Sequence, residues 1–355
     1  MPLKISMGMN LQPGPWGGGN QFGKALRDYL QGQGEEVCFD LDQPGLDLVL
    51  LTEPRSHLTI CAYDDGQILR YLARNPDTLV VHRVNECDER KGTQGVNQRL
   101  LRANLVADHT VFVSAWLRDL FVGLGLPSAG HSVIRNGSDS AIFNPRGYRP
   151  WPGEGPLKLV THHWSNNWNK GFDIYTRLDE LLGREPYRSR FQFTYIGNLP
   201  PDFSFRNARH QEPLHGQELA QALRSHHVYV TASRNEPGSH HQNEGAACGL
   251  PVLYLDNASM PEYCRGFGLA FDLDDFEEKL EEMRRRYPEL VRRMPDYPHT
   301  AERMCRAYHR LFRHLVEHRQ QVLAGRLPRR RLWWWLSRFN LGTPPRRQSR
   351  FLELD

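Results

Sequence analysis

Residues 228–250 read Val-Tyr-Val-Thr-Ala-Ser-Arg-Asn-Glu-Pro-Gly-Ser-His-His-Gln-Asn-Glu-Gly-Ala-Ala-Cys-Gly-Leu. The β-branched and aromatic start predicts a strand ending near Arg234, and a helix is predicted from about His240. Ser239 and Gln242 have the spacing of a capping box. Glu236 therefore falls in the loop before the helix, and Glu244 in its first turns. A helix N-terminus offers free N–H groups and positive potential, which suits a diphosphate. A carboxylate beside it can accept hydrogen bonds from sugar or ribose hydroxyls. A second reading of both glutamates is that they complement the helix dipole and nothing more.

Outward from this stretch, strands and helices alternate. Towards the N-terminus, strands are predicted at 3–9, 36–41, 47–52, 78–84, 109–114 and 131–135, with helices near 20–31, 65–74, 95–106 and 115–123. After residue 156 the order restarts with strand 157–163, helix 171–183, strand 191–196, helix 216–225 and the stretch quoted above. Strand 251–255, helix 260–265 and a long helical end over 275–287 and 299–323 follow. Such alternation predicts parallel sheets covered on both faces. The run Asn144-Pro-Arg-Gly-Tyr-Arg-Pro-Trp-Pro-Gly-Glu-Gly-Pro156 is dense in Pro and Gly without a period and reads as an interdomain linker. The expectation is an α/β chain of two Rossmann-like domains, 1–150 and 151–324, facing across a cleft, with a tail over 325–355.

Composition narrows the classes. The chain has 355 residues, 39% hydrophobic and 24% charged, as a globular two-domain protein requires. No run of about 18 apolar residues is present, and the start lacks a signal-peptide layout. Six cysteines without a Cys-x-x-Cys pair read as reduced thiols, so a cytoplasmic location is expected. The net charge of +4 is uneven: residues 325–355 hold eight Arg against Glu353 and Asp355, a net +6, leaving 4 − 6 = −2 for the rest. A near-neutral body with a basic tail argues against nucleic acid as partner.

Two Glu with seven residues between them, before Gly245-Ala-Ala-Cys-Gly-Leu-Pro-Val252, resemble the donor-site signature of family-four retaining glycosyltransferases, whose fold is GT-B. Glu262 in Ser259-Met-Pro-Glu-Tyr263 resembles the acidic position that follows in that family. Val133-Ile-Arg-Asn-Gly-Ser-Asp-Ser-Ala-Ile-Phe-Asn-Pro145 is similar to its segment at the domain junction, Asn169-Lys-Gly171 to its Lys-Gly, and Tyr195-Ile-Gly-Asn198 to its Gly-ending strand. These motifs stand in the family's order over about residues 10–270. The resemblance implies that Glu244 holds the ribose hydroxyls and that Glu236 contacts the donor sugar and stabilises the reacting centre. It implies that Lys170 neutralises the leaving diphosphate. It makes 1–150 the acceptor-side domain and 151–324 the nucleotide-sugar domain. One departure stands out: where the family has an Arg five or six residues before the Lys, this chain has Ser165 and Trp164. Ser165, Asn166 or backbone N–H groups are the candidates to replace that phosphate contact.

Further candidates lie in the first half. Pro15-Trp-Gly-Gly-Gly-Asn-Gln-Phe22 sits between strand and helix, where Gly18 and Gly19 let backbone N–H groups approach a donor. A Gly-rich turn is also a common plain connector. His82, read as the end of strand 78–82, matches a family His that contacts the donor sugar, and a structural role is the alternative reading. Histidine pairs at 162–163, 226–227 and 240–241 chelate poorly when neighbours point to opposite faces of a strand, so no metal and no cofactor are expected. Arg329-Arg-Arg-Leu-Trp-Trp-Trp-Leu-Ser-Arg-Phe339 suits an anionic membrane surface, or a tail packed across the first domain. The resemblance implies transfer of a sugar from a nucleoside diphosphate to a glycan or lipid-linked acceptor, with retention, in surface polysaccharide or glycolipid assembly. It places the work in the cytoplasm, at the inner face of a membrane. The alternatives are a sugar-nucleotide epimerase on the same fold and a non-catalytic binding protein.

Overall fold

A computed structural model describes all residues except 15–16, 129, 340–349 and 354–355. The chain forms two compact units, residues 1–135 with 302–355, and residues 136–301.

The first unit is built on a seven-stranded parallel sheet. Its strands are β1 (Lys4–Met7), β2 (Glu36–Cys38), β3 (Leu48–Leu51), β4 (Leu79–Val84), β5 (His109–Phe112) and β6 (Gly130–Val133). The seventh strand is the tail segment Arg350–Phe351, beside β6, and the spatial order is Arg350–Phe351, β6, β5, β4, β3, β1, β2. Helices α1 (Gly17–Gly32), α2 (Asp65–Leu72), α3 (Asp88–Lys91), α4 (Val96–Asn104) and α5 (Ala115–Gly123) connect the strands. The strand interiors are buried, and β3 is a continuous apolar run, because both sheet faces are covered. Leu48, Leu50, Leu79 and Val81 meet Phe22, Leu26 and Leu30 of α1 on one face. Val49, Leu51 and Val80 meet Ile68, Leu69 and Leu72 of α2 on the other.

The second unit has a six-stranded parallel sheet: β7 (Leu157–His163), β8 (Phe191–Gly197), β9 (Arg209–Gln211), β10 (Val228–Thr231), β11 (Val252–Leu255) and β12 (Gly268–Phe271). Its helices are α6 (Phe172–Leu182), α7 (Tyr187–Arg190), α8 (Gly216–Arg224), α9 (His241–Ala247), α10 (Met260–Cys264) and α11 (Phe276–Val291). The spatial order is β12, β11, β10, β7, β8, β9. The chain winds outward from β7 through β8 and β9, then returns to the other side of β7 as β10. The switch point therefore lies between β7 and β10, and ligands of doubly wound sheets bind beyond the strand ends at such a point.

Two boundaries differ from the sequence expectation. The Pro- and Gly-rich run 144–156 is not a linker but packs inside the second unit. Tyr148 places its hydroxyl 2.6 Å from that of Tyr287, and the Trp151 N–H donates to the same oxygen at 3.0 Å. Two aromatic anchors outweigh the breakers around them. At the other end, α12 (Ala301–Glu317) returns to the first unit. Its stripe Met304, Cys305, Tyr308, Leu311, Phe312 and Leu315 packs with β1, β3 and α1. The segment expected to close the second domain, 302–324, thus covers the first unit's sheet.

The tail continues as α13 (Arg319–Ala324) and α14 (Arg330–Ser337) on the first unit. Arg326 donates to both carboxylate oxygens of Asp108, at 2.6 and 2.7 Å. Trp334 Nε1–H donates to Asp65 at 2.5 Å. Part of the expected tail, residues 340–349 and 354–355, lies outside the described residues, as do Pro15 and Trp16 of the Gly-rich turn. Among the described residues, no helix is long and apolar enough to cross a membrane.

Candidate functional site

In the second unit the chain leaves β7 at His163 and makes a short turn to the 3-10 helix Trp168–Lys170. Asn167 caps that turn, its side chain accepting from the Asn169 N–H at 2.9 Å, and Ser165 Oγ accepts from the Asn167 N–H at 3.2 Å. Gly171 follows at φ +97°, and a Cβ there would overlap Ala232 at the end of β10. Only glycine fits this approach. The Lys170-Gly171 pair is thereby pressed against the neighbouring strand, and Lys170 is 8% exposed.

Beyond β10, the loop 232–240 is fastened on several sides. The Arg234 N–H donates to the Asn169 carbonyl at 2.8 Å, tying this loop to the turn that carries Lys170. The Asn235 N–H donates to Asn257 Oδ1 at 2.6 Å. Asn136 Nδ2 donates to the Gly238 carbonyl at 2.5 Å, and the Asn243 side chain donates to the Asn136 carbonyl at 3.0 Å. A Cβ on Gly137 would strike the backbone at Thr300. The Asn136-Gly137 motif is therefore a clamp on the glutamate loop. Gly245 lets α9 close onto β10, because a Cβ there would meet the Tyr229 ring.

This scaffold gathers three of the expected residues. Glu236, 1% exposed, makes an ion pair with Lys170 through Oε1. Glu244 is buried on α9, with Oε2 2.7 Å from His162 Nε2 at the end of β7. With a proton on Nε2 that ring donates to the carboxylate. Its Nδ1 then accepts from the Tyr229 hydroxyl at 3.2 Å, and the same hydroxyl lies 3.2 Å from His241 Nδ1. His163 joins the two pairs: its ring lies edge-on to His241 at 4.7 Å, and it feels the charges of Lys170, Glu236 and His162. Burial first, then the positive neighbours, hold its imidazole well below the ordinary value and so neutral. Both acid–base pairs thus stand at the carboxyl ends of β7 and β10, the switch point of the sheet.

Sequence reasoning took His162 as half of a histidine pair and as a possible cation at its strand end, not as the partner of Glu244. Arg234 was also missed: a cation directly after β10, it holds Asp173 of α6 at 2.5 Å. The capping box took another form. Ser239 Oγ donates to the Gln242 side-chain oxygen at 2.8 Å, Gln242 Nε2 donates to the Ser239 carbonyl at 2.8 Å, and α9 starts at His241. Ser165 serves its own turn, and Trp164 beside it is exposed.

The candidates of the first unit are placed differently. Gly18 and Gly19 lie in the first turn of α1 rather than in a loop, and a Cβ on Gly19 would face open space. They follow β1, next to which that sheet also reverses its winding. His82 does not end a strand, because β4 runs on through Arg83 to Val84. Arg83 stays in the sheet because its guanidinium lies over the Phe22 ring, 3.9 Å from the centroid. His82 is fully buried, with Nδ1 3.1 Å from Asn104 Nδ2, and burial pushes its pKa down to about 3. That is a structural histidine bracing α4, enclosed in the core, and the expected catalytic role is withdrawn. Among the described residues, no group of three His, Cys, Asp or Glu side chains could hold a metal ion.

Residues 177–325 match the glycosyl transferase-like family model. Over that stretch the chain is similar to glycosyl transferases, and its fold is of the GT-B type. Solved structures agree on the fold. Sucrose-phosphate synthase from Thermosynechococcus elongatus aligns with a TM-score of 0.65 at 15% identity, covering 90% of this chain and 100% of that one. A glycosyltransferase from Rickettsia africae aligns at 0.63 and 12%, covering 89% and 99%. The E. coli trehalose-6-phosphate protein bound with UDP-2-fluoro glucose aligns at 0.55 and 10%, covering 83% and 77%. No curated relative matches the sequence.

Proposed function

We propose that this protein is a glycosyltransferase that moves a sugar from a nucleoside-diphosphate donor to an acceptor hydroxyl, with retention of anomeric configuration. The observation that carries the proposal is the double pair at one switch point, Lys170 with Glu236 and His162 with Glu244. A nucleoside-diphosphate sugar presents three chemical zones in a row: ribose hydroxyls, diphosphate and sugar. Glu244, oriented by His162, would accept from the ribose hydroxyls. Lys170 would turn from Glu236 towards the diphosphate, where negative charge grows as the bond to the sugar breaks. Glu236 would then face the sugar and the positive charge developing on its anomeric carbon. Front-face attack lets the leaving phosphate take the acceptor proton, so the scheme asks for no protein base. Donor-side contacts from Gly18 and Gly19 and a phosphate contact from the 164–167 turn belong to the same proposal. The sugar nucleotide held by the E. coli neighbour supports the donor class. We place its acceptor among glycans and lipid-linked glycans, at an anionic inner membrane surface met by residues 326–339, where polysaccharide or glycolipid would be assembled.

Isothermal titration with UDP, GDP and ADP, followed by product analysis with the matching sugar nucleotides, tests the donor. Glu244→Gln is expected to weaken nucleotide binding about ten- to hundredfold, the equivalent of about 1.4–2.7 kcal/mol. Binding of none of the three nucleotides by the wild-type protein would end the proposal.

A further inference from the structure

The tail helix α14 has two faces of opposite character. Arg330 and Trp334, one turn apart, point inward: Arg330 reaches the Val106 carbonyl at 3.4 Å, and Trp334 lies against Gly66 and Asp65. The residues of the other face, Arg331, Leu332, Trp335, Arg338 and Phe339, are exposed. Their spacing of three to four residues makes one continuous outer stripe. Leu332, Trp335 and Phe339 are 45%, 52% and 57% exposed, and the Trp335 and Phe339 rings touch edge-on at 5.1 Å. Of the ten large apolar side chains exposed among the described residues, these three lie together on α14 and the turn that follows it. Isolated exposed apolar residues are ordinary, whereas a stripe of them marks an interaction surface.

Charge says which partner fits. Residues 326–339 hold five Arg and no acidic residue. Asp108 compensates Arg326 and Arg330 on the inner side. Arg329, Arg331 and Arg338 remain around the apolar stripe, all three exposed. A groove of about 1380 Å³ opens beside them, lined by Arg331, Trp334 and Trp335 of α14 and by Arg70 and Arg74 at the end of α2. Asp40 and Asp42 line its far side, so the excess of positive charge sits on the helix edge. Inside that edge, burial and the neighbouring Arg99 and Arg338 oppose the charge of Arg102, and its Nε meets no acceptor among the described residues. Crowded cations next to half-buried aromatic rings suit the phosphate layer of a bilayer, where indole and phenyl rings rest at the boundary with the acyl chains.

We propose that the outer face of α14 docks this protein on an anionic lipid bilayer. Leu332, Trp335 and Phe339 enter the headgroup–acyl boundary. Arg329, Arg331 and Arg338 meet lipid phosphates, and the groove admits a headgroup between α14 and α2. This rests on the membrane part of the proposed function and is independent of the sugar chemistry.

The test is co-sedimentation of the full chain with vesicles of phosphatidylcholine alone or mixed with phosphatidylglycerol. Binding is expected only with the anionic lipid and falls as salt rises from 0.1 to 0.5 M. Arg331→Gln/Arg338→Gln should lower the partition coefficient about thirtyfold, and Trp335→Ser/Phe339→Ser more than tenfold. Nucleotide affinity of these variants stays at the wild-type value, which separates failed docking from a failed donor site. Equal binding to both vesicle types, no binding, or unchanged partition in both variants overturns the proposal. So does a concentration-dependent dimer in sedimentation velocity that Trp335→Ser abolishes, because the stripe would then belong to a second copy.

Discussion

The Lys170–Glu236 pair makes a sharp prediction when its two charges are removed one at a time and together. Both groups are nearly sealed from water, and they pair directly. Glu236→Gln keeps the shape but leaves an ammonium buried against a neutral amide, which costs about 3–5 kcal/mol. Lys170→Met leaves the carboxylate, which must take up a proton or stay charged, at about 3 kcal/mol. The double variant removes both charges and fills the same space, so its stability should lie within about 1 kcal/mol of wild type. Taking 3 for each single variant, the coupling is 1 − 3 − 3, or about −5 kcal/mol. For a unit of this size each kcal/mol moves the melting temperature by about 2–4 °C, so the singles melt at least 6 °C early and the double variant near wild type. Thermal unfolding and urea titration of the four proteins measure this, with turnover assayed in parallel. Turnover should fall at least hundredfold in all three variants, the stable double one included. Additive single effects, with coupling below about 0.5 kcal/mol, would refute a buried linked pair. Wild-type turnover in Glu236→Gln would refute its role beside the reacting centre.

Two other predictions concern stability. Burial pushes the pKa of both His82 and His109 down to about 3, against about 6.5 for an exposed imidazole. The unfolded chain therefore binds protons below pH 6.5 that these two sites refuse, and stability is lost as pH falls from about 6.5 towards 3. Between pH 7.5 and 5.5 each contributes a loss of about 1.4 kcal/mol, about 3 kcal/mol for the two. Urea denaturation at the two pH values should show it, and an equal free energy at both would contradict the burial argument. Gly171→Ala forces a side chain to φ +97° and into Ala232, so it should cost at least about 2 kcal/mol in the same assay and raise the KM for the donor by displacing Lys170. A neutral substitution would show that the turn has room the geometry denies.

The strands were legible wherever both faces are buried, because Leu48–Leu51 or Val252–Leu255 can read only as apolar runs. Those that escaped sit at sheet edges or are very short: polar Arg209–Gln211, Gly268–Phe271 and the two-residue Arg350–Phe351. The reading of His82 as a strand end failed because Arg83 looks like a surface residue, yet an aromatic ring takes it inside. The amphipathic stripe of α12 was equally plain, but a stripe does not name the sheet it will cover. Likewise, Glu236 and Glu244 announce themselves by spacing, whereas their partners lie 66 and 82 positions away and are chosen by the winding of β7 beside β10.

That winding also bears on why so polar a site persists in the interior. A buried ion pair is weak support for stability, since apolar residues of the same volume would serve as well or better. Here both basic partners come from the end of β7 and its following turn, and both carboxylates from the segments after β10. The pairs therefore join the two chain segments that flank the reversal of the sheet, where a doubly wound fold leaves its crevice. Apolar residues would close that crevice; paired charges keep it polar. The basic side chain at the strand end, His162, is held against the second glutamate rather than offered to solvent.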